Sequence, residues 1–323
     1  MTIFYDDNIE RIDELLIGSE ALFRKRFLET IQQIEDTHTL EEIIEYLEND
    51  QIDEALVAAE LAAANIGFAY STSYTRSAQK TAEFISNSIS ILVNFDQTNE
   101  TAVEQMRANQ LRIIRNFTEK QKLATKLALL DGIRRGLNPR QQALLFKMSI
   151  GLTEEQVQWV INFRKLLEEL DVNVFKRLLR DKRFDATLHA AIESSEPLTS
   201  AQIDRMVERY RSRVLTYRSE TIARTEALTA VHQGVDNMYI QAIEDGVLDE
   251  DSLEQTWHTA SDERIRGSHK PMHLQKRRIG EAFLSGLGNA LRYPGDPQAP
   301  VGDRINCRCM KTTRFRIVTG LAA

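Results

Sequence analysis

The chain has 323 residues, 42% hydrophobic and 28% charged, and a formal net charge of −7. That length favours two or three domains over one core, and the composition is that of a globular chain with enough apolar material to bury. The start, Met1-Thr2-Ile3-Phe4-Tyr5-Asp6-Asp7, lacks the basic and apolar runs of a secretory leader, and no stretch reaches the roughly 18 apolar residues of a membrane span, so a cytoplasmic protein without membrane contact is expected.

Charge is unevenly spread. Residues 251–323 hold 12 Lys/Arg and 7 Asp/Glu, a balance of +5, whereas the preceding part holds 29 and 41, a balance of −12. The two ends therefore face different electrostatic demands. The cysteines, Cys307 and Cys309, stand one residue apart and do not form the spaced framework of a disulfide-stapled protein.

From residue 8 to about 250 the chain reads as successive helices. Thr39 with Glu42, Thr153 with Gln156 and Thr199 with Gln202 have the spacing of capping boxes, which satisfy free backbone N–H groups at helix starts. Ile52, Leu56, Ala59, Ala63 and Ile66 recur at helical spacing, as do Ile203, Val207, Tyr210, Val214 and Tyr217, and each set predicts a buried stripe. Gly136-Leu137-Asn138-Pro139 pairs a glycine stop with an Asn cap and a first-turn proline. Gly151-Leu152-Thr153 repeats the stop and start, so two short helices around Ala143 and Val157 are joined by a tight turn. Such a turn serves helix packing or offers N–H groups to DNA phosphates.

After about residue 250 the texture changes. Gln255–Ala260 and Cys309–Ile317 alternate like strands, and Tyr293-Pro294-Gly295-Asp296-Pro297 is turn chemistry. The expected fold is mainly α, with helical N-terminal and middle regions followed by a small α+β C-terminal module entered through a long helix around 218–246. The expected division is 1–105, 106–217 and 218–323.

Chemistry-bearing residues concentrate in the last segment. No phosphate loop, Gly-x-Ser-x-Gly elbow or HExxH helix is present. His269 and His273, four apart, followed by Cys307 and Cys309, are ligand types that Zn²⁺ prefers, and a structural zinc site is one reading. The other is a buried cysteine pair packing beside a hydrogen-bonded histidine, which Pro271 and the short Cys-x-Cys spacing favour. Asp262, Arg264, Arg266 and His269 form a second cluster, suited to acid–base or phosphodiester chemistry or to knitting a loop together. Arg264, Arg266, Lys270, Lys276, Arg277 and Arg278 carry little opposing charge, which suits sequence-independent contact with double-stranded DNA or a solvated basic face.

Taken in order, Ile222-Ala223-Arg224-Thr225-Glu226, Trp257 with Asp262-Glu263-Arg264-Ile265-Arg266 and His269, Tyr293-Pro294-Gly295-Asp296-Pro297, and Asn306-Cys307-Arg308-Cys309 resemble the signature of the Mu F-like head-morphogenesis family of tailed phages. The resemblance covers about residues 110–317 and is densest from 220 onward. It implies a non-enzymatic minor head protein at few copies inside the capsid, associated with the portal protein and with scaffold or major capsid protein. The implied role is head morphogenesis and genome retention or ejection, with non-specific DNA contact. The implied location is the host cytoplasm during assembly, then the interior of the virion head. Val301–Asn306 departs from the family in lacking the His that many relatives carry beside the Cys-x-Cys. The rival expectation is a metal-assisted phosphodiesterase or transferase using Asp262, Arg264 and His269.

Overall fold

In a computed structural model of the chain, residues 2–6, 9–49, 51–260 and 262–318 are described. The fold is mainly helical with a small antiparallel sheet. Strand β1 (Thr2–Asp6) leads into helices α1 (Ile9–Thr37), α2 (Leu40–Glu48), α3 (Ile52–Ile89), α4 (Glu100–Arg134), α5 (Pro139–Ser149), α6 (Glu154–Glu168), α7 (Asp185–Ser194) and α8 (Ser200–Glu244). The C-terminal part carries β2 (Leu253–His258), β3 (Lys276–Arg277), β4 (Phe283–Leu284), β5 (Ala290–Leu291), the single turn α9 (Val301–Arg304) and β6 (Met310–Val318). No helix among the described residues is long and apolar enough to cross a membrane.

The helix starts follow local chemistry. Thr39, Asn138 and Thr153 each accept from the backbone N–H three residues on, while Glu42, Gln141 and Gln156 reach back to the cap. Gln202 and Thr199 make the same reciprocal pair. Of the two predicted stripes, Leu56, Ala59, Ala63, Ile66, Ile203, Val207, Tyr210 and Val214 are buried, whereas Tyr217 is exposed. The side chain of Ile52 lies outside the described residues.

The chain packs as two units. One comprises Met1–Arg26, Ile66–Leu111 and Glu220–Ala323, the other Phe27–Asn65 and Arg112–Ser219. Two N-terminal stretches belong with the C-terminal part. Helices α1, α3, α4 and α8 each contribute residues to both units, because helices of 29 to 45 residues are far longer than the 10–14 that a compact layer usually takes.

The unit that contains the C-terminal part has a core built from one face of α8. Leu228, Val231, Val235, Met238 and Ala242, at helical spacing, pack with Ile12 and Leu16 of α1, Ala78 and Ile85 of α3, and Trp257 and Phe315 of the sheet. Gly234 is required where α8 approaches α3, since a Cβ there would stand 2.3 Å from the Tyr74 carbonyl oxygen. The sheet order is β1-β6-β2-β3, all antiparallel. Leu253, Gln255 and Trp257 point inward by strand alternation, as do Lys311, Thr313 and Phe315. The unit of α5–α7 has its own core, in which Phe163 stacks on Tyr210 at 4.2 Å.

Candidate metal centre

His269 and the two cysteines are brought together by two turns. Residues Lys270–Met272 form a 3-10 turn with Pro271 in its first positions, where the missing N–H costs nothing, and this seats Met272 in the core and buries His269. Pro271 also prevents the α-helical i,i+4 geometry on which the ligand set of His269, His273, Cys307 and Cys309 depended. His273 instead continues in extended backbone, is exposed, and accepts from the Thr259 N–H through Nδ1 at 3.3 Å. It is not part of the cluster, which consists of His269, Cys307 and Cys309.

On the other side, Asn306 turns the chain through the left-handed region at φ 57°, a conformation asparagine tolerates. Its N–H donates to Thr225 Oγ1 at 3.0 Å, and its Oδ1 accepts from the Arg224 guanidinium at 2.6 Å. Strand-like alternation then points both Cys307 and Cys309 inward.

Each sulfur lies 3.5 Å from His269 Nδ1, and the backbone N–H of Cys309 donates to Cys307 Sγ at 3.4 Å. The other ring nitrogen, Nε2, stands 3.4 Å from Asp303 Oδ1, within ion-pair reach though longer than a well-formed hydrogen bond. Asp303 is itself buried and fixed by Ser268 Oγ at 2.8 Å and Asn289 Nδ2 at 2.7 Å. Burial pushes the Asp303 carboxyl up, but the hydrogen bonds from Asn289 and Ser268 outweigh it and leave it lowered. A hydrogen bond from the Cys309 thiol holds Cys307 well below the ordinary thiol value, with His269 acting in the same sense, and the same pairing together with burial pushes Cys309 up. Trp257, fully buried, meets the imidazole edge-on at 5.9 Å between ring centres.

The other members of the sequence cluster go elsewhere. Asp262 takes both terminal nitrogens of Arg308, one at 2.6 Å, and is held well below the usual carboxylate range chiefly by that contact. The Arg264 side chain is 81% exposed and 3.4 Å from Asp262. Arg264 and His269 line one cavity beside the cysteines, whereas Asp262 is taken up by Arg308 and Arg264. Thr225 also back-bonds to the Thr221 carbonyl at 2.7 Å, and Glu226 is buried in α8.

The basic run is not a continuous patch of uncommitted charge. Arg266 donates to the carbonyls of Asp303 and Ile305, and Arg277 to those of Ala282 and Lys276. Lys276 pairs with Glu254 at 2.6 Å and Arg278 with Asp251 at 2.9 Å, while Lys270 is exposed with no acidic partner among the described residues. Lys276 and Arg277 form the edge strand β3, where charged side chains discourage further strand pairing.

Sequence reasoning missed Asp303, the contact of Arg308 with Asp262, and the pairing of buried Lys311 with the partly buried Asp236. Lys311 had a usable signal: it shares strand parity with Cys309 and Phe315, and a lysine on an inward-facing position demands a buried anion. Comparison of the chain with protein-family models, curated proteins and solved structures finds no match.

Proposed function

We propose that this chain is a minor head protein of a tailed bacteriophage, working inside the capsid by binding at the portal vertex in head morphogenesis and in genome retention or ejection. The observation that carries this reading is the convergence of its four resemblance blocks on one polar knot. Arg224 and Thr225 bond to Asn306. Thr229 Oγ1 donates to the Gly295 carbonyl at 2.7 Å, fastening the Tyr293–Pro297 turn to α8. Asp262 grips Arg308, and His269 meets both cysteines.

Residues separated by 38 to 82 positions thus serve one local structure. A shared domain makes that demand of its signature, and it explains these polar residues without a reaction. Asp262 is engaged by Arg308 rather than left as a base, which favours binding over the rival phosphodiesterase or transferase. DNA contact in this proposal falls to Lys270, with Lys276 and Arg278 contributing only where phosphates displace Glu254 and Asp251. The protein is therefore primarily a partner of portal, scaffold or major capsid protein.

The test is co-expression of the full chain with the portal, scaffold and major capsid proteins of a tailed phage that carries it. The proposal expects co-elution with the portal at a few copies per ring; elution free of all three would remove it.

A further inference from the structure

We propose that His269 Nδ1, Cys307 Sγ and Cys309 Sγ hold one Zn²⁺ ion, and that its fourth ligand is a water or small oxyanion from the cavity beside them. This does not depend on the head-protein reading.

Distances carry the first half. A tetrahedral Zn²⁺ at about 2.3 Å from sulfur and about 2.0 Å from nitrogen sets each S···N edge at about 3.5 Å. Both sulfurs stand at 3.5 Å from the same nitrogen. Hydrogen bonding explains one such contact but not two, because a neutral imidazole nitrogen has either one proton or one lone pair. A shared cation accounts for both.

The surroundings fit. Asp303 Oδ1, 3.4 Å behind Nε2, stands where the carboxylate that orients a ligating histidine is usually found. The Cys309 N–H on Cys307 Sγ favours thiolate over thiol. All three ligands are buried, as the closed part of such a site requires.

The second half follows from what is close by. Among the described residues His269, Cys307 and Cys309 make up the cluster without a fourth ligand. His273 is turned to Thr259, Asp262 is engaged by Arg308, and Asp303 lies on the far ring nitrogen. The three ligands instead border a cavity of about 310 Å³ whose wall also carries Arg224, Arg264, Arg266 and Arg308. Zn²⁺ with two thiolates and a neutral imidazole has no net charge, so an anionic fourth ligand adds one negative charge, which these guanidiniums offset. These guanidiniums, of which Arg308 and Arg264 also face Asp262, make phosphate or a similar oxyanion a better occupant than a cation.

The experiment uses the full chain, reduced and stripped with chelator, then titrated with Zn²⁺ against a chromophoric competitor and with Co²⁺ as a spectroscopic probe. Expected are one Zn²⁺ per chain, thiolate-to-Co²⁺ charge-transfer absorption with tetrahedral visible bands, and protection of both cysteines from alkylation by Zn²⁺. Cys307→Ser and Cys309→Ser should each abolish the stoichiometric site, His273→Ala should leave it intact, and Asp303→Asn should weaken it by about tenfold to a hundredfold. Inorganic phosphate should shift the Co²⁺ bands, and Arg264→Gln should weaken that response without loss of metal.

Alkylation protection is read on the unaltered protein, so a serine variant that fails to fold does not obscure the result. Failure to bind Zn²⁺ with both thiols alkylated at full rate, or recovery of only a Cys307–Cys309 disulfide, overturns the metal site. Co²⁺ bands indifferent to phosphate overturn the oxyanion.

Discussion

Lys311 Nζ lies 2.6 Å from Asp236 Oδ2 with its side chain only 1% exposed, so strand β6 is fastened to helix α8 by an ion pair at the edge of the core. Gln255 Nε2 donates to the same carboxylate at 2.8 Å, and the ammonium also sits over the Tyr293 ring at 5.6 Å. Burial lowers the Lys311 pKa, with Asp236 opposing that shift.

Removing one partner leaves an uncompensated buried charge. Asp236→Asn should therefore cost about 3–5 kcal/mol in urea unfolding, and the double variant Asp236→Leu with Lys311→Met should cost less than either single change. Additive losses would mean that the two residues act separately.

His232 gives the acid limb of stability its shape. It is fully buried, neither ring nitrogen has a hydrogen-bond partner among the described residues, and burial, reinforced by Lys311, holds its pKa well below 6.5. The unfolded chain takes up a proton near that value and the folded chain does not, so stability present above it is lost as pH falls, at up to about 1.4 kcal/mol per unit. His258 acts in the same direction, through burial and then His273. In unfolding titrations His232→Leu should flatten this limb between about pH 6.5 and 5, ahead of the carboxylates, which titrate lower. An unchanged slope would remove His232 from the account.

The Tyr293–Pro297 turn depends on a glycine. Gly295 has φ 85°, and a Cβ would stand 2.8 Å from Leu228 Cβ and 3.1 Å from the Thr229 nitrogen. Gly295→Ala should cost at least about 2 kcal/mol, combining backbone strain with lost packing. Gly280→Ala, at φ 81° with open space around it, should show the strain alone, about 1 kcal/mol. Equal losses at the two sites would mean that the turn does not seat tightly on α8.

If the C-terminal face touches DNA, it does so weakly. Binding through Lys270, Lys276 and Arg278 predicts a log–log salt slope of about −2 to −3, which Lys270→Glu with Lys276→Glu should flatten. A slope steeper than about −5 would instead mean that all six basic residues reach phosphates.

What the sequence disclosed and withheld divides by range. Capping boxes, the glycine stops and the alternation of β2 and β6 are local, and they located helix starts and both longer strands to within two or three residues. An apolar stripe shows that a face is buried but not what it packs on, so Leu16 and Ile85 gave no sign that they share a core with Trp257. Strand β1 pairs Tyr5 with Phe315 from the far end of the chain, beyond the reach of any local pattern. At the site, His269, Cys307 and Cys309 were legible as residue types. His273 was not separable from them until the 3-10 turn at Pro271 was seen, and Asp303 had no local mark of its contact with His269.

The proposed internal head location is tested most directly by mass spectrometry of purified phage particles, with protease added before and after the head is opened. The account predicts a few copies of this chain per particle, intact in closed heads and cleaved once they are opened. Its absence from mature heads, or its digestion in closed ones, would contradict the account.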